Sequence, residues 1–356
     1  MGKLASKAEH AASAIHDDVE STHLSANVCG TTLADVARLS GVSPITVSRA
    51  LNQPEIVSER TRTRVLAAVQ RLGYVPNMVA GSLATRRSHL VAALVPSIST
   101  LMFARMIESF EASLREKNYE VIVGVTNYDI LREQQLLQTI LRRRPDAVFL
   151  TGVTHTEQSR SWLLSAAIPV VETWDLTRSP IDMLVGFSHE DVGRSVGRFL
   201  LSKGYRRFGL LTTREERAGL RASGLLAELK AHGGAHHHTV HVLPPTTPRS
   251  GRAGLNEMLE SGFRPDVVVC SSDSTAHGVI IEAIHRGMDV PKQLAVMGFG
   301  DMDSAADIEP SLSTVRIDPT KIGASAATAL LDQLKGQASS NRILDVGFEI
   351  CPRAST

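Results

Sequence analysis

The sequence predicts two kinds of structure in series: an all-α helix-turn-helix headpiece, followed by an α/β body in two lobes. Three observations carry this expectation. Between residues 32 and 57, in TLADVARLSGVSPITVSRALNQPEIV, apolar residues recur at steps of three and four, broken by one glycine and two prolines. From Leu90 onward short apolar runs alternate with helix-length segments, the pattern of a parallel sheet covered by helices. Within that body RPDAVFL at 144–150 returns as RPDVVVC at 264–270, which suggests two similar lobes rather than one long sheet. The 356 residues are comfortable for two or three domains.

Residues 1–30 lack the apolar stretch of a secretion signal and are expected to form a disordered tail. MGKLAS matches a myristoylation pattern so short that chance explains it. Thr32 then caps a first helix, with Asp35 in its first turn where the dipole favours an acid. Leu33, Val36 and Ala37 make its apolar face, and Gly41 supplies the turn. Ser43 caps a second helix, and Pro44 takes the first helical position, where a missing N–H costs nothing. Val47, Ala50 and Leu51 point inward from it, whereas Ile45, Thr46, Ser48, Arg49 and Asn52 point outward. Ser58 caps a third helix whose Val65, Leu66, Val69 and Leu72 close the small core before Gly73 ends it.

Such a second helix fits the DNA major groove N-terminus first. Arg49 can read guanine bidentately, Thr46 and Ser48 can hold phosphates, and Ile45 can meet a thymine methyl. Residues 31–89 carry eight arginines against three acids, a net +5 on a chain of formal charge +1, which suits an anionic polymer bound at one end. An ordinary three-helix bundle with solvated arginines fits the same geometry and charge.

The strand-like runs of the body are LVAALVP (90–96), YEVIVGV (119–125), DAVFLTG (146–152), IPVVE (168–172), RFGLLT (207–212), DVVVCS (266–271) and LAVMGFG (294–300). Ligands of open α/β sheets sit beyond the carboxyl ends of the strands, which here carry Ser97, Thr126, Asn127, Thr154, Glu172, Trp174, Asp175, Ser272, Asp273 and Asp301. Trp174 reads equally as core, and Glu172 and Asp175 equally as salt-bridging groups. Cys29, Cys270 and Cys351 are odd in number and unpatterned, so neither a disulfide framework nor a thiolate metal site is expected. AHHHTVH (235–241) reads as a loop, because adjacent histidines rarely converge on one ion. No P-loop or nucleophile elbow occurs, and no apolar run reaches membrane-spanning length. Neither an enzyme, nor a cofactor or metal, nor a membrane partner is therefore expected.

TLADVARLSGVSPITVSRALN and, after it, GYVPNMVAGSLATRRS (73–88) resemble the headpiece and hinge of the lactose- and galactose-repressor family of bacterial regulators. The resemblance implies a headpiece over 31–75, a hinge helix over 76–89 and, over 90–356, a two-lobed effector domain like that of periplasmic sugar-binding proteins (type I). The N-lobe would hold about 90–187 and 319–346, the C-lobe about 188–318 and 347–356. Three segments would cross between lobes, near Phe187–Ser188, Asp318–Pro319 and Val346–Gly347. Tyr74, Asn77, Ala80, Leu83 and Ala84 would join Thr32 and the second helix at the DNA, the hinge folding when two copies pair there and Leu83 entering the minor groove as a wedge. A cytoplasmic, nucleoid-associated homodimer on palindromic operator DNA is the expected state, with no tetramerisation helix before Thr356.

VVETWDLTRSPIDMLVGF (170–187) and VMGFGDMDSAADIEPSLSTVRID (296–318) are closest to the gluconate-utilisation repressors of that family. Arg221, in LRASG, matches the family's effector-contacting arginine, while Ser272 and Gly300 stand where many relatives have Asn and Asp. A sugar acid needs a cation for its carboxylate and polar groups for its hydroxyls. Arg221 supplies the first. Ser97, Thr154, Glu172, Ser272, Asp273 and Asp301 are candidates for the second, with Trp174 over an apolar edge. The implied function is a repressor that a sugar acid releases from its operator through a lobe movement of ~1–3 kcal/mol coupling. The same protein answering to a neutral sugar or to a corepressor is the alternative. A transporter's binding protein would leave the headpiece unexplained, and an architectural DNA bender would leave the lobes unexplained.

Overall fold

A computed structural model describes residues 31–75, 87–244, 246–337 and 342–356. The expected tail and the hinge candidates Asn77, Ala80, Leu83 and Ala84 lie outside the described residues. The chain divides into two compact units, Met1–Gly81 and Ser82–Thr356.

In the first unit α1 spans Leu33–Ser40, α2 Pro44–Asn52 and α3 Glu59–Leu72. Thr32 and Asp35 form a reciprocal capping box on α1, and Gly41 ends it in the left-handed region at φ +64°. The Ser43 hydroxyl accepts from Thr46 N–H to start α2 only three residues after α1 ends. Arg64 donates to the Ser40 and Gly41 carbonyls and so braces this turn from α3. Val36, Ala37, Val47, Ala50, Val65, Ala68 and Tyr74 are the buried core. Two expectations are corrected. Leu66 is 44% exposed, since the inward stripe of α3 runs Val65–Ala68–Val69–Leu72 and Leu66 lies a residue's rotation away from it. Ser58 precedes α3 but donates to the Thr61 hydroxyl instead of capping a backbone N–H.

In the second unit the first lobe contains β1 (Leu90–Val95), α4 (Leu101–Arg115), β2 (Glu120–Val125), α5 (Ile130–Leu141), β3 (Ala147–Thr151), α6 (Glu157–Ala166), β4 (Val170–Thr173) and β5 (Met183–Gly186). The second contains α7 (His189–Ser202), β6 (Arg207–Thr212), α8 (Glu216–Ala231), β7 (His236–His241), α9 (Pro248–Glu260), β8 (Val267–Cys270), α10 (Asp273–His285), β9 (Ala295–Met297), α11 (Ser304–Asp307) and β10 (Thr314–Arg316). The chain then returns through α12 (Pro319–Leu334) and β11 (Ile343–Asp345) to the first lobe, and ends in β12 (Glu349–Cys351), antiparallel to β10. The sheets run β11-β5-β4-β3-β1-β2 and β7-β6-β8-β9, every pairing within them parallel.

The repeated RPD fixes equivalent points of the two sheets. Asp146 accepts from the backbone of Ser88 and His89 just before β1, and Asp266 accepts from Arg206 and Arg207 at the start of β6. The histidine segment expected as a loop is strand β7, in parallel register with β6 from Arg207↔His236 to Thr212↔His241. It is a sheet edge burying only Val240, so its sequence has no apolar pattern. Among the described residues no group of three or more side chains is arranged to hold a metal, and no helix is long and apolar enough to cross a membrane.

Candidate nucleic-acid interface and effector cleft

On the headpiece α2 presents Ile45, 64% exposed, and exposed Arg49 and Asn52, with Pro44 exposed at its start. Thr46 and Ser48 are half-buried between them; Thr46 shares a 2.9 Å hydrogen bond with Ser43, and Ser48 accepts from Asn52 at 3.3 Å. One face thus offers an apolar methyl group, hydroxyls, a guanidinium and, at its far end, an amide, all along one helix. Thr32 is exposed but committed to its cap. Tyr74 departs from the expected DNA face: it is 8% exposed, and its ring belongs to the core that α1, α2 and α3 share.

Between the lobes of the body lies a cleft of about 510 Å3 at the carboxyl ends of the strands. Helix α8 supplies Arg217 and Arg221 to its wall, and glycine brings α7 up against α8 from behind. A Cβ on Gly193 would collide with the Arg221 carbonyl, and one on Gly224 with the Glu190 carbonyl. This backbone contact sets the first turn of α7 against Arg221 on α8. The Arg221 guanidinium donates to His189 Nδ1 at 2.9 Å and to the Ser271 carbonyl at 3.3 Å, and lies 3.9 Å from the centre of the Phe299 ring. Burial first, then the neighbouring Arg217, depress its pKa to about 10, so it stays charged at neutral pH.

A turn earlier on α8, Arg217 donates to Asp175 Oδ2 at 2.8 Å, which ties the second lobe to the first. Burial opposes the Asp175 charge, but Arg217 and His189 overcome it and hold its pKa below the ordinary value. Asp273, wholly buried at the start of α10, accepts from Thr314 Oγ1 at 2.6 Å and from Met302 N–H at 2.7 Å. Burial pushes its pKa up to about 6 despite those bonds. Glu215 is also raised by burial.

Of the residues expected here, Ser97, Asn127, Trp174, Arg221, Ser272 and Asp273 line the cleft. Trp174 adopts φ +81° at the exit of β4 and packs between Phe103 and Phe187. Ser272 caps α10 and shares a 2.9 Å bond with Thr246. Three expectations are corrected. Glu172 is wholly buried inside the first lobe, where it accepts from Ile181 N–H and lies 3.3 Å from His155. Asp301 is turned at φ +53° onto Arg316 and Arg353, at 2.6 and 2.7 Å. Thr154 bonds to Glu216 at 2.8 Å and lines a neighbouring hollow. Sequence reasoning missed Arg217, Glu215, His189, Tyr128 and Phe299. Only Arg217 had a local signal, standing four residues before Arg221 on one helix face.

A family model described as bacterial regulatory proteins, lacI family, matches residues 32–77, and one described as a periplasmic binding protein-like domain matches residues 198–356. The HTH-type transcriptional regulator GntR of Pseudomonas aeruginosa is 36% identical over 331 residues, 91% of this chain and 95% of that protein. The HTH-type transcriptional repressor PurR of Klebsiella pneumoniae is 29% identical over 329 residues, 91% of this chain and 96% of that one. The crystal structure of a LacI-family transcriptional regulator from Silicibacter pomeroyi superposes with a TM-score of 0.85 at 33% identity, covering 91% of this chain and 99% of that chain.

Proposed function

The chain belongs to the lacI family of bacterial regulatory proteins, and on that premise we propose that it is a cytoplasmic, homodimeric repressor whose hold on operator DNA is set by a sugar acid of the gluconate type. One observation carries the ligand class. The Arg221 guanidinium, deep in the cleft, meets an imidazole nitrogen, a carbonyl and an aromatic face, and no carboxylate lies within ion-pair distance among the described residues. A ligand carboxylate completes it with a charge-assisted, bidentate pair. Ser272 and Ser97 accept or donate to hydroxyls and Trp174 covers an apolar edge, while Asp273, both carboxylate oxygens bonded to Thr314 and Met302, backs this wall. Glu172 and Asp301, tied up elsewhere, have no part in this reading.

Arg49 reads a base edge, Ile45 meets a methyl group, and Thr46, Ser48 and Asn52 fix α2 on phosphates and bases. The wedge role of Leu83 rests on the resemblance of GYVPNMVAGSLATRRS to the family hinge. Ligand between the lobes alters their angle and so the spacing of the two hinges in a dimer, which lowers operator affinity.

Calorimetry with gluconate and glucose, paired with operator titrations, tests this. Gluconate is expected to bind and weaken the operator complex, and glucose to do neither. Arg221→Ala is expected to lose ~2–5 kcal/mol of gluconate affinity and stay on the operator. Equal binding of the two sugars, or full affinity in Arg221→Ala, overturns the sugar-acid reading.

A further inference from the structure

We propose that His189 determines the charge preference of this cleft, by standing as a neutral spacer between Asp175 and Arg221. The inference deepens the sugar-acid reading and rests on it. Four side chains form one line across the lobes: Arg217 Nε to Asp175 Oδ2 at 2.8 Å, Asp175 Oδ1 to His189 Nε2 at 3.2 Å, and His189 Nδ1 to Arg221 Nη1 at 2.9 Å. The tautomer follows from the donors. A guanidinium only donates, so Nδ1 accepts, and the ring proton sits on Nε2 facing Asp175.

The line holds two guanidiniums and one carboxylate. Asp175 spends its charge on Arg217, and the histidine keeps it a full ring's width from Arg221. Burial first, then the positive field of Arg221 and Arg217, hold the His189 pKa at about 4 against the pull of Asp175. The imidazole therefore contributes geometry and no charge at neutral pH. Its side chain is 1% exposed and packs against Phe187, so water does not replace it. A carboxylate at position 189 would pair with Arg221 and balance the line at two cations and two anions. The cleft would then gain nothing from a ligand's negative charge and would repel it. With histidine there, the missing anion is left for the ligand to bring.

The test uses the full-length protein, with gluconate and its uncharged polyol counterpart glucitol measured by calorimetry. In wild type gluconate is expected to bind well ahead of glucitol. His189→Asn, whose amide oxygen replaces Nδ1 as a neutral acceptor, is expected to keep that preference. His189→Asp is expected to reduce it about tenfold or more while leaving glucitol binding no weaker. Should His189→Asp not give a cooperative thermal melt, Ser271→Asp delivers the carboxylate from the other side of Arg221 and is expected to do the same. A folded carboxylate variant with the wild-type preference overturns the inference alone. So does His189→Asn losing as much preference as His189→Asp, because the ring and not its neutrality would then matter. A wild type that does not prefer gluconate overturns the sugar-acid reading and this inference with it.

Discussion

Two histidines of the body are almost equally buried, with 2% and 1% of their side chains exposed, and they have opposite chemistry. His155, in the first lobe after β3, sits between Glu133 at 2.6 Å and Glu172 at 3.3 Å. Burial alone lowers its pKa, yet the hydrogen bond to Glu133 and the charges of both glutamates outweigh burial and raise it to about 9. His189, at the start of the second lobe, faces one carboxylate and two guanidiniums and is held at about 4. Depth does not separate them. The sign of the neighbouring charge does, and it makes one histidine a fixed internal cation and the other a neutral link beside a cation still to be paired.

The strongest way to break this comparison is to remove the internal cation. His155→Ala leaves Glu133 and Glu172 buried together, and is expected to destabilise the folded protein by about 3–5 kcal/mol, read from the midpoint of urea unfolding. Glu133→Gln in the same chain is expected to restore part of that loss, since the surplus buried charge goes with it. A loss under about 1 kcal/mol for His155→Ala would mean that the glutamates take up protons freely and that the histidine is not their counter-charge.

Titration sharpens the contrast, because the two residues act in opposite pH windows. The folded state holds the His155 proton more tightly than the unfolded chain does. Its contribution, on the order of 3 kcal/mol for a shift from 6.5 to about 9, is complete below pH 6.5 and is lost as pH rises through about 9. His189 binds its proton less tightly when folded. Its contribution is present above pH 6.5 and is lost as pH falls towards about 4. Unfolding free energy measured across pH is expected to lose its alkaline decline in His155→Gln and part of its acid decline in His189→Asn. Asp273, raised to about 6, opposes the acid decline in both chains alike, so the difference between them reports His189. Both arms unchanged in both variants would show that other groups set the pH dependence.

The same contrast explains what the sequence made legible. The two lobes were readable because β1, β3, β6 and β8 are buried on both faces and so appear as unbroken apolar runs. β7 was not, because an edge strand with one buried residue carries no such signature. The capping residues of α1 and α2 act within four residues and could be read directly. In the cleft, position at a strand's end was visible but the facing side was not: Glu172 and Asp301 end beside His155, Arg316 and Arg353, which no local pattern announces. His189 and Arg217 gain their roles from partners 32 and 42 residues away. Only folding brings those charges together.

The smallest expected effect compares the lobes at the repeated RPD. Asp146 accepts from Ser88 N–H at 2.8 Å, Ser88 Oγ at 2.9 Å and His89 N–H at 2.9 Å, in a partly buried setting where the chain enters β1. Asp266, itself partly buried, accepts from the exposed Arg206 and Arg207 N–H at 3.0 and 2.9 Å. Charge-assisted bonds lose strength to competing water, so the two aspartates should differ although their sequence surroundings match. Asp146→Asn is expected to cost about 1–2 kcal/mol, because one amide oxygen replaces two carboxylate oxygens and the amide N–H2 faces backbone donors. Asp266→Asn is expected to cost about half as much, and the double variant to show the sum, since the two sites lie in different lobes and share no partner. Equal losses at the two sites would mean that the count of backbone bonds, and not burial, sets the strength of the clamp. The neighbourhood that separates His155 from His189 would then have no counterpart at the sheet edges.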